Sequence, residues 1–185
     1  NRGDVVGAVG ARLRELHGTL RAEYPGVNRM AVALYDPRTD MLRTFVHSTD
    51  GDSPLQHYDA RLRDVPSLAV MAHDRTDRVI HDLDSLAASS SRHTRCLLEK
   101  GYRSSYTMPF YEGDQLCGFV FYDSLQQGMF TPATVRYLTV FSNLTSLLVL
   151  KCLAPIPLLL SAVRVAGQVT RLRDADTANH LERMG

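Results

Sequence analysis

Two His-Asp dipeptides are the first places where the side chains of this sequence could do chemistry. They are His73-Asp74 and His81-Asp82, and an imidazole beside a carboxylate is a common component of metal sites. A metal-dependent hydrolase core needs such a pair on a helix, with further His and Asp residues from other helices. Here the first pair ends a short predicted helix and the second closes a predicted strand. We therefore interpret both pairs as polar surface residues and predict no metal site in this fragment.

The three cysteines are the other residues with reactive side chains. Cys96, Cys117 and Cys152 are odd in number and lack the spacing of a metal-binding motif. A thiol enzyme would need a nucleophile and a resolving partner. Because no paired spacing recurs, small buried side chains are the preferred interpretation. Free thiols suit a reducing compartment, which predicts a cytoplasmic protein.

Charge and hydropathy limit the classes of partner. The chain has 185 residues and a net charge of +1, which gives no reason to expect nucleic acid. The most apolar stretch, residues 147–160, holds a lysine and two prolines and is shorter than the roughly 20 apolar residues of a membrane span. Because the first residue is Asn1 rather than methionine, we interpret the chain as a fragment of a longer protein. We predict neither nucleic acid nor a membrane as a partner.

Apolar runs in the sequence predict the strands of a β-sheet, which would position the side chains of a functional site. Residues 103–123 predict a hairpin, with strands at 105–111 and 116–122 joined by Glu112-Gly113-Asp114. In the second strand, residues 119–122 run without a polar break, which is typical of a central strand covered on both faces. Further strands are predicted at 29–35, 41–48 and 78–83, with a short strand or turn at 58–62.

Helix-start and helix-stop residues predict short helices around these strands. A first helix ends at Tyr24-Pro25-Gly26, a second is capped by Ser67, and a third spans 93–100 before Gly101. Residues 87–91 have the composition of a flexible linker.

A long helix is predicted from Thr131-Pro132 through Leu153. Its apolar stripe is wider than one core contact needs, so we expect a second surface to cover part of it. An antiparallel sheet with helices packed on it is an α+β architecture.

Apolar residues at heptad spacing in the first helix allow two interpretations. They recur every three or four residues, so the helix can pack on its own domain or against a second copy. A last predicted helix carries two further positions of this kind. We predict a homodimer whose seam positions are Val6, Val9, Leu13, Leu16, Leu20, Leu159 and Val163.

Four stretches of this layout resemble GAF domains. They are residues 64–68 (DVPSL), 78–83 (RVIHDL), 101–109 (GYRSSYTMP) and 118–121 (GFVF). These stretches are similar to the GAF domains that precede HD-GYP phosphodiesterases in bacterial signalling proteins, and the resemblance covers residues 25–153. It implies an α+β, GAF-like fold with a central antiparallel sheet, flanked by N- and C-terminal coiled-coil-like helices.

Residues 173–184 resemble the first helix of an HD-GYP domain. Family members usually carry Glu-Thr-Gly-Asn-His there, with the Glu and the His as metal ligands one helical turn apart. The matching positions are Asp176 and His180, although Asp replaces the usual Glu and Ala178 the usual Gly. The resemblance implies a parent cyclic-di-GMP phosphodiesterase with divalent metals in the missing domain, and no enzyme activity in this fragment. A chance DxxxH on a polar surface helix is the alternative.

The predicted domains follow from these assignments. They are residues 1–24, the N-terminal helix with the dimer seam; 25–153, the GAF domain; 154–173, a signalling helix; and 174–185, the truncated start of the HD-GYP domain. The resemblance implies a sensory domain that binds an unidentified small ligand and controls the phosphodiesterase through dimeric terminal helices.

A ligand site is implied between the sheet and the helices at Ser67 and His93. We expect a small, partly apolar molecule, because the nearby side chains are mostly aromatic or sulfur-containing. The alternative is that most of these side chains form the core. The candidate wall residues are Tyr35, Phe45, Tyr58, Met71, His81, Tyr102, Ser105, Tyr106 and Met108.

Two other functions stay open. One is a ligand-free dimerisation module, and the other is a free methionine sulfoxide reductase, an enzyme that also uses a GAF fold with pocket cysteines. The Asn-Lys…Phe…Asp-Glu motif of cyclic-nucleotide GAF domains and the Cys-His pair typical of bilin-binding ones do not occur here. We predict no cofactor in the fragment, with haem ligation by His47 or His57 as an open alternative.

Overall fold

The computed structural model describes residues 2–49, 59–89 and 91–153. The chain divides into two compact units, Asn1–Leu147 and Leu148–Gly185, and the sheet belongs to the first. Several predictions lie outside the described residues, namely the helices at 154–173 and 174–185, the seam positions Leu159 and Val163, the metal ligands Asp176 and His180, and the ligand-binding candidates Tyr58 and His57.

The described strands form one antiparallel sheet. They are β1 (Arg29–Asp36), β2 (Met41–Thr49), β3 (Asp59–Arg61), β4 (Arg78–Ile80), β5 (Ser104–Glu112) and β6 (Gln115–Ser124). The order across the sheet is β3-β2-β1-β6-β5-β4. β6 therefore lies at the centre, between β1 and β5, which confirms the central strand predicted from residues 119–122.

Helices accompany this sheet and complete the predicted α+β architecture. The described α-helices are α1 (Arg2–Glu23), α2 (Pro66–Asp74), α3 (Arg92–Glu99) and α4 (Pro132–Leu153), with 3-10 helices at Leu62–Asp64 and Asp84–Ser89. The predicted start of α4 is confirmed, because Pro132 is its first residue and the Thr131 hydroxyl accepts the Thr134 N–H at 3.3 Å.

One face of the sheet is marked by two tyrosines, and we call it the tyrosine face. Tyr106 of β5 pairs with Tyr122 of β6, and their rings stack with centroids 5.9 Å apart. The Tyr122 hydroxyl lies 2.9 Å from the Ser142 hydroxyl on α4. This face of the sheet therefore packs against α4.

The opposite face carries Phe119 and Phe121, and we call it the phenylalanine face. Because side chains alternate along a strand, these two residues of β6 point away from Tyr122. They form a hydrophobic cluster with Leu68 and Met71 of α2. β6 is thus buried on both faces, as its unbroken apolar run predicts.

The predicted cap of α2 is wrong by two residues. The helix begins at Pro66, and the residue before it, Val65, is the N-cap without a side-chain hydrogen bond. Proline is favoured at the first helical position because it has no N–H that would need an acceptor. Ser67 is therefore inside the helix rather than at its cap.

The segment after β4 also differs from the prediction. β4 ends at Ile80, and the Asp82 carboxylate accepts the Asp84 N–H at 3.0 Å where the 3-10 helix Asp84–Ser89 begins. Such side-chain-to-backbone bonds compete with strand pairing. The predicted strand to residue 83 is therefore too long, and part of the predicted flexible linker is helical.

α1 buries most of its heptad positions within a single copy of the chain. Val9, Leu13 and Leu20 are at most 1% exposed, and Leu16 is half-buried. The side chain of Val6 is not among those that the structure describes. Side chains that are already buried leave no surface for a second copy, which favours packing of α1 on its own domain. The homodimer itself stays a prediction.

α4 exposes part of its apolar surface. Val140, Leu144 and Leu147 are 58%, 50% and 65% exposed and lie on one side of the helix, and we call them the α4 stripe. Leu138 and Phe141 are buried. Among the described residues, one helix, Pro132–Cys152, is long and apolar enough by length and composition to cross a membrane, a test that core helices of soluble proteins also pass.

Gly118 allows β1 and β6 to approach each other closely. A Cβ atom at Gly118 would lie 2.0 Å from the carbonyl oxygen of Ala33 on β1 and 3.0 Å from a ring carbon of Phe110. The first of these neighbours is backbone, so it cannot move aside without disturbing the pairing of the two strands.

We predict that Gly118→Ala lowers the free energy of unfolding by about 3 kcal/mol, because the added methyl group forces the central strands apart. Gly18→Ala is the matched control, since a Cβ at Gly18 on α1 meets nothing within 4 Å. Alanine there is expected to stabilise the helix by up to about 1 kcal/mol. Chemical denaturation measures both, and equal stability of Gly118→Ala and the wild type would contradict the close approach.

Candidate functional site

A cavity of about 340 Å³ lies between the phenylalanine face, α2 and α3. It is in the size range of small-molecule sites. Its wall combines apolar side chains, hydroxyl groups and one guanidinium. The lining residues are Asp64, Val65, Pro66, Ser67, Leu68, Arg78, Ile80, Leu86, Ser91, His93, Thr94 and Phe121.

The sheet supplies one side of this cavity. Arg78 and Ile80 are two residues apart on β4, so their side chains point to the same face. On the central strand, Phe121 contributes a ring whose centroid lies 5.8 Å from that of His93 on α3. The cavity therefore reaches from the edge strand to the centre of the sheet.

The N-termini of two helices supply the other side. Ser67 is in the first turn of α2, while Ser91 and Thr94 lie at the start of α3. The Ser91 hydroxyl caps α3 by accepting the Thr94 N–H at 3.4 Å. Helix N-termini carry a positive partial charge, so both helices make the cavity more favourable for negative charge.

His93 is a neutral group in this site. Its ring is half-buried, and burial lowers its pKa from the ordinary value of 6.5 to about 3, with further lowering by the positive charges of Arg29 and Arg78. The imidazole therefore carries no charge at neutral pH, and the positive charge of this region belongs to the two arginines.

A buried ion pair joins the central strands on the same face. Arg29 of β1 and Asp123 of β6 are 1% and 2% exposed, and the Arg29 Nη1 donates to the Asp123 carboxylate. Among the described residues, the Nε and Nη2 atoms of Arg29 have no hydrogen-bond acceptor although both are buried. Neither residue is among the wall residues predicted from the sequence.

Unlike Arg29, Arg78 has no carboxylate partner among the described residues. Its Nε is buried and finds no acceptor in the described part of the chain, and burial lowers the pKa of the guanidinium. Arginine stays protonated even when its pKa falls in this way. The cavity wall therefore holds a positive charge without a described counter-ion.

Two predicted wall residues lie on the other side of the sheet. Tyr106 and Met108 line a second cavity of about 360 Å³ that also includes Thr139 of α4. The Tyr106 hydroxyl donates to Asp77 at 2.8 Å, and burial raises its pKa to about 12. These residues are part of the tyrosine face.

The remaining predicted wall residues divide between core and surface. Met71 and Tyr35 belong to the hydrophobic cluster of Phe119 and Phe121. Of the others, Tyr102 is packed with Leu83 and Leu97, Ser105 is buried on β5, Phe45 is half-buried and His81 is exposed. None of the described candidates lines the 340 Å³ cavity. Their roles in ligand binding stay predictions.

The residues that first suggested chemistry do not form a reactive centre in the described part of the chain. His73 and Asp74 are 88% and 53% exposed, and His81 is exposed. In the described residues, no group of three or more His, Cys, Asp or Glu side chains is arranged to hold a metal ion. None of the three cysteines lines the cavity, and burial raises the pKa of the Cys117 thiol.

Comparison with known proteins identifies the fold. No protein-family model and no curated protein matches the sequence. Among solved structures, the GAF domain of Thermosynechococcus elongatus PixJ in its blue-light-absorbing form is 15% identical, with a TM-score of 0.63 over 86% of this chain and 95% of that chain.

Two further solved structures share this architecture. A GAF domain/HD domain protein from Geobacter sulfurreducens is 16% identical, with a TM-score of 0.59 over 80% of this chain and 97% of that chain. The type II free methionine-R-sulfoxide reductase of Thermoplasma acidophilum is 12% identical, with a TM-score of 0.61 over 80% and 95%. At such identities the similarity establishes the fold, and the GAF-like α+β fold predicted from the sequence is confirmed.

We predict that His93→Gln weakens the pH dependence of stability. The folded pKa of His93 is about 3 and the ordinary value is 6.5, so the unfolded state binds more protons between these values. Above about pH 6.5, His93 is neutral in both the folded and the unfolded state and does not lower the free energy of unfolding. As the pH falls toward 3, protonation of the unfolded state progressively lowers the free energy of unfolding of the wild type. Between pH 7 and pH 5 the loss is about 1–2 kcal/mol.

The measurement is the free energy of unfolding of both proteins at the two pH values. His47, whose pKa is also lowered by burial, contributes in the same direction in both proteins. The informative quantity is therefore the difference between the two pH slopes. Identical slopes would show that His93 is not held neutral by its surroundings.

Proposed function

We propose that this chain is a sensory GAF domain that binds a small ligand in the cavity between the phenylalanine face, α2 and α3. The observation that carries the proposal is the cavity itself, with its combination of apolar, hydroxyl and charged wall residues. A spacer without a ligand has no need for an open volume lined by a half-buried guanidinium without a described counter-ion, since removing such a group from water is costly.

The proposed output is a cyclic-di-GMP phosphodiesterase domain that follows in the parent protein. The support is the resemblance of residues 173–184 to the first helix of an HD-GYP domain. A solved neighbour described as a GAF domain/HD domain protein shares the fold of this chain. We propose that occupancy of the cavity is transmitted through the terminal helices to that domain.

A reductase function has less support. The Thermoplasma enzyme shares the fold, but a thiol enzyme needs an activated thiolate at its substrate site. In the described part of this chain the cavity wall has no cysteine, and the raised pKa of Cys117 disfavours its thiolate. The sensory function therefore accounts for the site better.

The test of ligand binding is a thermal-shift screen of soluble metabolites. At a concentration of about 100 times the Kd, a ligand stabilises its protein by about 2.7 kcal/mol, which corresponds to a rise of about 5–10 °C in Tm for a domain of this size. We expect at least one metabolite to produce such a rise in the wild type.

Thr94→Trp is designed to fill the cavity and remove this shift, because Thr94 lies in the wall. Arg95→Trp, one residue further on the exposed side of α3, is the matched control and should behave like the wild type. A screen without any shift would favour a ligand-free dimerisation module. A shift that persists in Thr94→Trp would place the ligand elsewhere.

We further propose that the homodimer forms through the α4 stripe rather than through α1. Exposed leucines and a valine on one helix side are the type of surface that a partner covers. Leu144→Glu should convert a dimeric wild type to a monomer in analytical ultracentrifugation, because it places a charge at the centre of the contact. Val70→Glu is the control, since Val70 is 57% exposed on α2. A wild type that is monomeric at high concentration would contradict the proposal.

A further inference from the structure

The cavity wall combines charge and donor groups in a way that selects one class of ligand. This inference rests on the proposed ligand-binding function and concerns the same cavity. We propose that the ligand is a small organic carboxylate, whose charged group binds beside Arg78 and whose apolar body packs against Phe121 and Ile80.

The strand register first places the charged residues together. Arg29 pairs with Asp123, Asp123 with Ser105, and Ser105 with Ile80, which is two residues from Arg78 on β4. Directly paired residues share a face, as do residues two apart along a strand. Arg29 and Arg78 therefore lie on the phenylalanine face, and both are close enough to His93 to lower its pKa.

Counting the charges on this face leaves one positive charge without a counter-ion. Arg29 is neutralised by Asp123 in the buried ion pair. His93 is neutral, and in the described part of the chain Arg78 has no ion-pair partner. Among the described wall residues the one carboxylate, Asp64, is exposed. A single negative charge on the ligand would balance this site.

The hydrogen-bonding groups also require an acceptor. The Nε atom of Arg78, a residue of the cavity wall, is a buried donor without an acceptor in the described residues. An unpaired buried donor is costly, and the cost is larger when the group is charged. A carboxylate has only acceptor sites, so beside the Arg78 guanidinium it would accept hydrogen bonds without adding a new unpaired donor.

The helix N-termini and the apolar wall residues also favour a small carboxylate as the ligand. The N-termini of α2 and α3 both open to the cavity, and each favours negative charge nearby. The side chains of Ile80, Phe121 and Leu86 offer an apolar surface of limited extent. A volume of about 340 Å³ suits a compact molecule with one charged group and a short apolar or aromatic body.

The test uses isothermal titration with pairs of probes that differ in charge but hardly in shape. The probes are benzoate with benzamide, butanoate with butanamide, and phenyl phosphate, all at the same salt concentration. We expect one or both carboxylates to bind at least about tenfold more tightly than the matching amide, because the ionised group pairs with Arg78. Phenyl phosphate is expected to bind more weakly than benzoate, because its second charge has no partner.

Two variants test whether the ligand carboxylate binds beside Arg78. Arg78→Met keeps most of the aliphatic length and should weaken carboxylate binding at least about tenfold. Arg95→Gln changes an exposed arginine on α3 and should leave binding unchanged. The unliganded Arg78→Met protein should have a Tm equal to or above that of the wild type, because it removes a half-buried charge without a described counter-ion. A clearly lower Tm would show that Arg78 has a partner in the free protein and would overturn the argument.

The remaining outcomes separate this inference from the proposed function. Amides that bind as tightly as carboxylates, or carboxylate binding unchanged in Arg78→Met, would overturn the carboxylate assignment while leaving a ligand-binding domain. Tighter binding of phenyl phosphate than of benzoate would replace the carboxylate with a phosphate ester. If no probe binds but the metabolite screen finds a ligand, the carboxylate assignment is wrong while the ligand-binding function is retained. Failure of both screens would overturn the sensory function as well.

Discussion

Burial of both faces of β6 is the constraint on which the rest of this domain depends. On one face, Tyr122 packs toward α4 and bonds to Ser142. On the other, Phe121 forms part of the cavity wall. The close contact at Gly118 and the ion pair of Asp123 position this strand against β1 near its two ends. The same strand thus borders the cavity on one face and the helix with the exposed stripe on the other.

This arrangement offers a short physical route from ligand to output. A ligand that moves Phe121 acts on a strand whose next side chain, Tyr122, contacts α4. Packed cores respond to small displacements by shifting elements as units rather than by deforming continuously. We therefore propose α4 as the element that would connect occupancy of the cavity to the proposed second copy and the proposed output domain.

Local sequence signals predicted the strands of the sheet, but they could not show whether α1 packs on its own domain or on a second copy of the chain. The hairpin and the central strand follow from turn residues and an unbroken apolar run, which are properties of neighbouring residues. The heptad pattern of α1 is different, because spacing of three and four is equally suited to a sheet and to a second helix. Only the structure shows that Leu13 and Leu20 are buried within one chain.

The cavity wall was harder to predict for a related reason. Aromatic residues such as Tyr106 are common in both pockets and cores, and their type does not reveal which face of the sheet they occupy. Arg29 and Arg78 each begin a predicted strand, which was a visible signal. Their common face, however, depends on the pairing of β1 with β6 and of β4 with β5, and the strands of each pair are distant in sequence.

We propose that the cavity holds a small carboxylate bound beside Arg78. This is tested by a crystal structure of the protein as purified without added ligand, combined with mass spectrometry of the compounds released when that sample is denatured. We expect electron density for a compact molecule whose carboxylate contacts the Arg78 guanidinium, and a released acid of matching mass. A cavity filled by the protein's own side chains, or a bound molecule without a negative charge at Arg78, would contradict it.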